Sequence, residues 1–189
     1  MTPILAAVGP DHTIDLAAPD FSHIPWRVLI ESLCVLPRFN GAFGAEPTIG
    51  GHSLHVTDMV NEELKLAALL HDFTEAAMGD VIRPTRTVVD QAWRTNIDTY
   101  ADDSPIIALE HRLQVPLFAK AGLVWPLEPD AMVRLLDADD AVGQHELQLG
   151  KNRRLHILPN DHRNPSPDQL ERALRMLLDK HGVPYGVEV

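Results

Sequence analysis

One feature limits the possible folds of this chain more than any other. It is a short apolar run that is followed at once by two polar residues unsuited to a protein core. The segment from Leu66 to Leu70 reads Leu-Ala-Ala-Leu-Leu, and as a helix it would be buried on most faces. His71 and Asp72 follow at once, and Glu75 comes about one helical turn later. Because an unpaired buried charge is costly, such residues need a partner. The segment therefore predicts a packed helix that carries polar groups into the interior.

Two further groups of residues supply candidate partners. His52 and His55 lie upstream, and an apolar, helix-like stretch downstream carries Asp137, Asp139 and Asp140. A divalent metal ion would satisfy several of these imidazoles and carboxylates at once. The other interpretation of a lone His-Asp pair is a buried histidine that is simply hydrogen-bonded. The surrounding residues favour the metal.

Periodicity, capping residues and helix breakers predict an almost entirely helical chain. Ser22 can cap the first helix with Pro25 in its first turn, and Ser166 with Gln169 can form a capping box for the last. The glycine-rich stretch 38–50 is predicted to be a loop. The predicted helices cover residues 22–36, 52–61, 62–78, 85–100, 105–121, 129–149 and 166–181.

Length and pattern together predict one all-α domain, a bundle of about six to eight helices. We expect the domain to cover residues 22–189, with the last helix over 166–181. Residues 1–21 are expected to form an N-terminal arm or a short hairpin.

Five motif elements follow one another between residues 22 and 149. They are Arg38-Phe39, His52-Ser53, His71-Asp72-Phe73-Thr74-Glu75, Gly79-Asp80 with Pro84, and Ala138-Asp139. In this combination the chain resembles the HD superfamily of metal-dependent phosphohydrolases. The likeness is greatest to its small 5′-nucleotidase-like and phage-type members.

The resemblance implies a single HD-domain helical bundle with one divalent metal ion, which can be Mn, Co, Fe, Ni, Mg or Zn. The implied metal ligands are His52, His71, Asp72 and Asp139. By the same resemblance, Glu75 orients the attacking water and Asp80 takes part in proton transfer at the phosphate. The residues expected to bind substrate are Arg38, Phe39, Arg83 and Arg86. The resembled nucleotidases have tryptophan where this chain has Phe39, which leaves the substrate preference open.

The implied activity is hydrolysis of deoxynucleoside phosphates. Monophosphates would lose inorganic phosphate, and triphosphates such as dATP would lose tripolyphosphate. One alternative is a cyclic-nucleotide or other phosphodiesterase on the same metal centre. Another is a metal-stabilised binding protein with a decayed site, which the presence of Glu75, Asp80 and Arg38 disfavours.

Several residues near the motifs have competing interpretations. We expect His55 to pack beside the site rather than to bind metal. Asp137 and Asp140 compete with Asp139, but at about 100° per residue they point elsewhere on a helix. Glu146, two turns beyond Asp139, shares its face and is expected to orient the site or contact a neighbouring helix.

The composition of the chain limits the kinds of molecule that the protein is expected to bind. A net charge of −11 argues against binding a nucleic acid polymer, which requires a basic surface, and favours a small-molecule nucleotide substrate. No apolar run approaches the roughly 20 residues that span a membrane.

The one cysteine, Cys34, is expected to be buried and indicates a cytoplasmic protein. We also expect a homo-oligomer. The basic cluster Lys151, Arg153 and Arg154 is typical of a solvated turn.

Overall fold

The computed structural model describes residues 3–96 and 104–186, which form an all-α bundle with one β-hairpin, as predicted for the fold class. The hairpin pairs β1 (Leu5–Gly9) with β2 (His12–Asp15) in antiparallel register. The helices are α1 (Trp26–Val35), α2 (Ile49–Met59), α3 (Lys65–Leu70), α4 (Glu75–Met78), α5 (Arg83–Asn96), α6 (Pro105–Lys120), α7 (Pro129–Lys151), α8 (Asn160–Arg163) and α9 (Pro167–Lys180). Short 3₁₀ turns occupy Arg38–Gly41, Glu62–Leu64 and Leu155–Ile157. The end of the helix predicted over 85–100 lies outside the described residues.

A continuous apolar core joins the hairpin to α1, α3, α6 and α9. Its fully buried side chains include Ile14, Leu29, Leu33, Leu66, Leu69, Leu113, Leu117, Leu170 and Leu174. Every residue from Leu66 to Leu70 is buried, which confirms the buried helix predicted from this run. Burying one leucine side chain stabilises a fold by about 1.5–3 kcal/mol, so α3 is a firm support for the residues that follow it. None of the helices in the described ranges has the length and apolar character needed to cross a membrane.

The ends of α9 and α1 test the capping predictions. The capping box at α9 is confirmed, because the Ser166 hydroxyl accepts from the Gln169 amide and the Gln169 side chain accepts from the Ser166 amide. The predicted cap at Ser22 is wrong. α1 begins at Trp26, and Ser22 instead donates its amide and hydroxyl to the carboxylate of Asp20. The Ser22 hydroxyl is thus engaged in a local hydrogen bond with a neighbouring side chain and does not accept from the first amides of α1.

The single helix predicted over 62–78 is wrong, because the chain is interrupted between α3 and α4 by a turn at residues 71–74. In this turn the amides of Phe73 and Glu75 donate to carbonyls three residues earlier, each over 3.0 Å, so the coil is tighter than an α-helix. The His71 imidazole donates to the carbonyl of Ala68, which the Asp72 amide would use in a continuous α-helix. His71 and Asp72 therefore project from a tight turn rather than from one helix face shared with Glu75.

Helix α2 crosses the middle of the bundle and begins at Ile49, three residues before the predicted start. The Thr48 side chain caps it by accepting from the Gly51 amide over 3.2 Å. A Cβ atom at Gly51 would lie 2.8 Å from the carbonyl oxygen of His162, so only glycine lets α8 approach this closely. This packing fixes the first turn of α2 and with it the adjacent His52.

Candidate metal centre

Four potential metal ligands converge from three separate segments. His52 lies on α2, His71 and Asp72 lie in the turn after α3, and Asp139 lies on α7. One ligand atom of each residue lies within 4.8 Å of all the others. Nε2 of His52 is 2.9 Å from Oδ1 of Asp139, and Nε2 of His71 is 3.2 Å from Oδ2 of Asp72. The fold thus brings together the four residues singled out by the motifs, and they could hold a metal ion.

Both imidazoles are held with Nε2 facing this cluster. Nδ1 of His52 donates to Oε2 of Glu146 over 3.1 Å, and Nδ1 of His71 donates to the Ala68 carbonyl over 2.7 Å. Metal-binding histidines usually donate their other ring nitrogen to such an acceptor, which fixes the tautomer and the ring orientation. Nε2 of His71 is buried without an aligned hydrogen bond. The donor set and this orphaned nitrogen both fit a bound metal.

The charges of the cluster depend strongly on one another. Burial opposes a charge on His71, but the carboxylates of Asp72 and Asp139 raise the pKa of its imidazole well above the ordinary value. Burial also opposes a charge on Asp139, yet hydrogen bonds with His52 and His71 hold the pKa of its carboxyl below the ordinary value. The aspartates are therefore ionised, as metal ligands must be.

A buried glutamate and a buried arginine lie behind the ligands. Glu146 on α7 is fully buried, and its Oε2 lies 3.2 Å from Nε of Arg38 as well as beside His52. Burial opposes its charge, but His52, His55 and Arg38 lower the pKa of its carboxyl to about 2. Nη1 of Arg38 also lies 3.3 Å from Oδ2 of Asp72. Glu146 thus contacts a ligand imidazole directly, and Arg38 links it to a ligand carboxylate.

Glu75, at the first residue of α4, faces the same region. Its Oε2 is buried and has no hydrogen-bond partner among the described residues. Burial and the nearby carboxylates of Asp72 and Asp80 raise the pKa of its carboxyl well above the ordinary value. A carboxyl group with a perturbed pKa beside a cleft is a candidate for handling a proton or a water molecule.

A cleft of about 460 Å³ opens onto the ligands, a volume in the range of small-molecule sites. Its polar lining comes from the ligand aspartates and from Arg38, Glu75 and Asp80. Its apolar lining consists of Phe39, Phe43, Val81, Ile82, Pro84 and Leu147. Phe39 and Phe43 pack edge to face with ring centroids 5.4 Å apart. The cleft therefore combines an aromatic wall, formed by Phe39 and Phe43, with polar groups.

The short loop after α4 places Asp80 at this cleft. Gly79 ends α4 with a φ of 76°, a positive value that favours glycine. Oδ2 of Asp80 accepts from the Asn40 amide over 3.4 Å. Phe39 and Asn40 have φ values of 57° and 52°, so the backbone after Arg38 is left-handed at two non-glycine residues. Such conformations cost of order 1–3 kcal/mol each and persist only where the surroundings enforce them.

Arg83 and Arg86, which were also predicted to bind substrate, line the cleft, and each is already paired with an acid. Arg83, whose side chain is 71% exposed, forms an ion pair with Asp140 on α7. Arg86 donates from Nη1 to Oε2 of Glu110 on α6 over 3.0 Å. Burial raises the pKa of Glu110, and Arg86 opposes that shift. Nothing in the sequence pattern marked Glu110 as a partner, because α5 and α6 meet only in the folded chain.

Other residues lie near the candidate ligands without belonging to their cluster. His55 is absent from the ligand cluster, as expected, and its Nδ1 lies 3.5 Å from Oε1 of Glu146. Its ring stacks on that of His162, with centroids 4.5 Å apart. No local signal pointed to His162, since α8 reaches this region only through its packing on α2. Asp137 is exposed and also lies outside the ligand cluster.

Comparison with protein-family models gives no match for this sequence, and no curated protein matches it. The resemblance to the HD superfamily therefore stays an expectation from the motif residues.

Proposed function

We propose that this protein is an HD-type metal-dependent phosphohydrolase that acts on deoxynucleoside phosphates. The observation that carries the proposal is the convergence of His52, His71, Asp72 and Asp139 in one cluster, whose two aspartates line a cleft that also holds aromatic side chains. The unpartnered carboxyl of Glu75 at the same cleft supports chemistry rather than a purely structural metal site. A structural zinc site would be closed by four ligands and would need no such group.

Two imidazole nitrogens and two carboxylate oxygens suit Mn, Fe, Co, Ni, Zn or Mg. A divalent metal bound there supplies a Lewis acid for a phosphate oxygen and lowers the pKa of a bound water. The protein contributes rigidity, because the Glu146 and Ala68 contacts fix both imidazoles before any ligand arrives.

The residues around the metal ligands supply the other catalytic and binding groups. Glu75 orients the attacking water, since its Oε2 is buried beside the cleft and has no hydrogen-bond partner among the described residues. Asp80 also lines the cleft and assists proton transfer at the phosphate. Arg38 presents a guanidinium to the cleft while it remains anchored by Glu146, and a guanidinium suits bidentate contact with phosphate.

The aromatic wall and the rim arginines indicate the rest of the substrate. Phe39 and Phe43 offer ring faces and edges for a base or a sugar. The exposed ion pair of Arg83 with Asp140 is worth only about 0–1 kcal/mol, so Arg83 can exchange this partner for a phosphate. Arg86 is held more firmly by Glu110 and would act on additional phosphates at longer range. We place this enzyme in the cytoplasm as a homo-oligomer.

A metal-by-nucleotide activity matrix with product identification tests the proposal. Purified protein is assayed with each divalent metal against deoxynucleoside mono-, di- and triphosphates and cyclic nucleotides. Release of inorganic phosphate or tripolyphosphate supports the proposal and separates the two modes of hydrolysis. Opening of a cyclic nucleotide without release of phosphate would identify a phosphodiesterase instead. The control is Asp137→Asn, which removes one charge from an exposed position on α7 and should behave as the parent protein.

A further inference from the structure

A second cavity, of about 560 Å³, lies beside the metal cleft at the end of α7 and is separate from the ligands described above. Its basic lining comes from Lys151, Arg153 and His156, and its apolar lining from Ala42, Phe43, Gly150 and Leu155. Its volume also falls within the roughly 300–1,000 Å³ of small-molecule sites. The cavity therefore combines a concave surface with positive charge in a protein whose net charge is −11.

The basic side chains of this cavity are not neutralised by the protein. Among the described residues, neither Lys151 nor Arg153 takes part in an ion pair, whereas Arg38, Arg83 and Arg86 in the metal cleft are all paired with acids. Unpaired guanidinium and ammonium groups at one cavity attract an anion, and phosphate is the anion whose geometry matches arginine best.

Arg153 also occupies a backbone position that an arginine does not favour. The chain leaves α7 through a motif in which the Arg153 amide donates to the Gly150 carbonyl and the Arg154 amide donates to the Leu149 carbonyl. Arg153 has a φ of 54° here, in the left-handed region where glycine is usual. These two hydrogen bonds also satisfy carbonyls that would otherwise repel an anion at a helix C-terminus. The fold has no need of an arginine side chain at this position, and a ligand supplies a reason for one.

The aromatic residue Phe43 lines both this cavity and the metal cleft, as does Ala42. A Cβ atom at Gly150 would lie 2.5 Å from that ring, so glycine is what allows Phe43 to lie against the backbone of α7. The two cavities are consequently neighbours with one shared aromatic wall.

We propose that the cavity formed by Lys151, Arg153, His156 and Phe43 is a second binding site, which takes a phosphate group of a small molecule. The basic cluster is then more than the solvated turn that the sequence indicates, because a solvated turn requires no cavity. The proposal does not depend on the metal centre or on the proposed hydrolysis. The phosphate belongs either to a separate ligand or to the distal end of a molecule that also enters the metal cleft.

The test is a titration of the full-length protein, loaded with Mg²⁺, with inorganic phosphate, followed by the amide signals of residues 151–156 in NMR spectra. The informative variant is Arg153→Gly, which removes the guanidinium while relieving the left-handed backbone. Its thermal midpoint should equal or exceed that of the parent protein. The matched control is Arg154→Ala, because Arg154 carries the same charge on the next residue and does not line the cavity.

Saturable shifts in the parent protein and in Arg154→Ala, with affinity weakened about tenfold in Arg153→Gly, are the expected result. Linear shifts that are the same in all three proteins would overturn the proposal, since they would reflect only general charge. Equal weakening in both variants would overturn it too.

A nucleoside 5′-monophosphate then distinguishes the two sources of the phosphate. If one molecule spans both cavities, signals of Phe39 and of Arg153 will saturate together with a single affinity. If the ligand is separate, inorganic phosphate will still saturate the Arg153 signal when the metal cleft is already filled. Each of these two outcomes upholds the site and assigns its occupant.

Discussion

Replacing Glu146 should weaken metal binding although Glu146 is not itself a ligand. Its carboxylate accepts from Nδ1 of His52 over 3.1 Å in a fully buried position and thereby orients Nε2 toward the metal. Loss of such a partner typically costs about 10–100-fold in metal affinity, or about 1.4–2.8 kcal/mol. Glu146→Gln keeps a neutral acceptor and should lie near the lower figure. Glu146→Ala removes the acceptor and should lie near the upper one.

The affinity is measured by competition between the protein and a fluorescent chelator for Mn²⁺, with thermal unfolding of the metal-free variants recorded in parallel. The matched control is Asp137→Asn, which makes the same change of charge at an exposed position of α7. If the Glu146→Gln and Glu146→Ala proteins bind Mn²⁺ as tightly as this control does, the contact with His52 does not orient the ligand. Another contact would then have to hold Nε2 of His52 toward the metal.

Four further predictions concern single residues. His71→Ala should lose bound metal and all activity together, and full metal occupancy measured by elemental analysis would refute its role as a ligand. Glu75→Gln should retain the metal but lower turnover about 10²–10⁴-fold; near-normal steady-state rates would contradict a role in orienting water. Arg38→Ala should weaken binding of every nucleotide by about 2–4 kcal/mol in calorimetric titrations, and unchanged affinity would remove Arg38 from the substrate site. Cys34 should resist alkylation in the native protein at pH 8, because burial raises the pKa of its thiol to about 12; mass spectrometry showing labelling as fast as in urea would disprove this.

Local signals in the sequence were sufficient for several elements of the fold. The capping box of Ser166 and Gln169 is one of them, because its two residues lie within one turn of each other. Burial of the run before His71 also followed from its composition alone. Interactions of this range are encoded in neighbouring residues, so a pattern can predict them.

The sequence also indicated the four candidate ligands. It gave their residue types and their motif spacing, but not their positions in space. Which of three aspartates on α7 faces His52 depends on the rotation of that helix against α2, and the packing selected Asp139 over Asp137 and Asp140. The interruption of the helix at His71 likewise involves a competing hydrogen bond, which the periodicity of the sequence does not predict.

The partners of the charged side chains were decided by tertiary structure alone. Arg83 and Arg86 were expected to be available for phosphate, yet Asp140 on α7 and Glu110 on α6 pair with them in the folded chain. Arg153 is exposed, as predicted for a solvated turn, and only the folded structure shows that it also lines a cavity. The physical reason is that the charge and type of a residue are written in the sequence, whereas the distance between two charges is set by the packing of the apolar core between them.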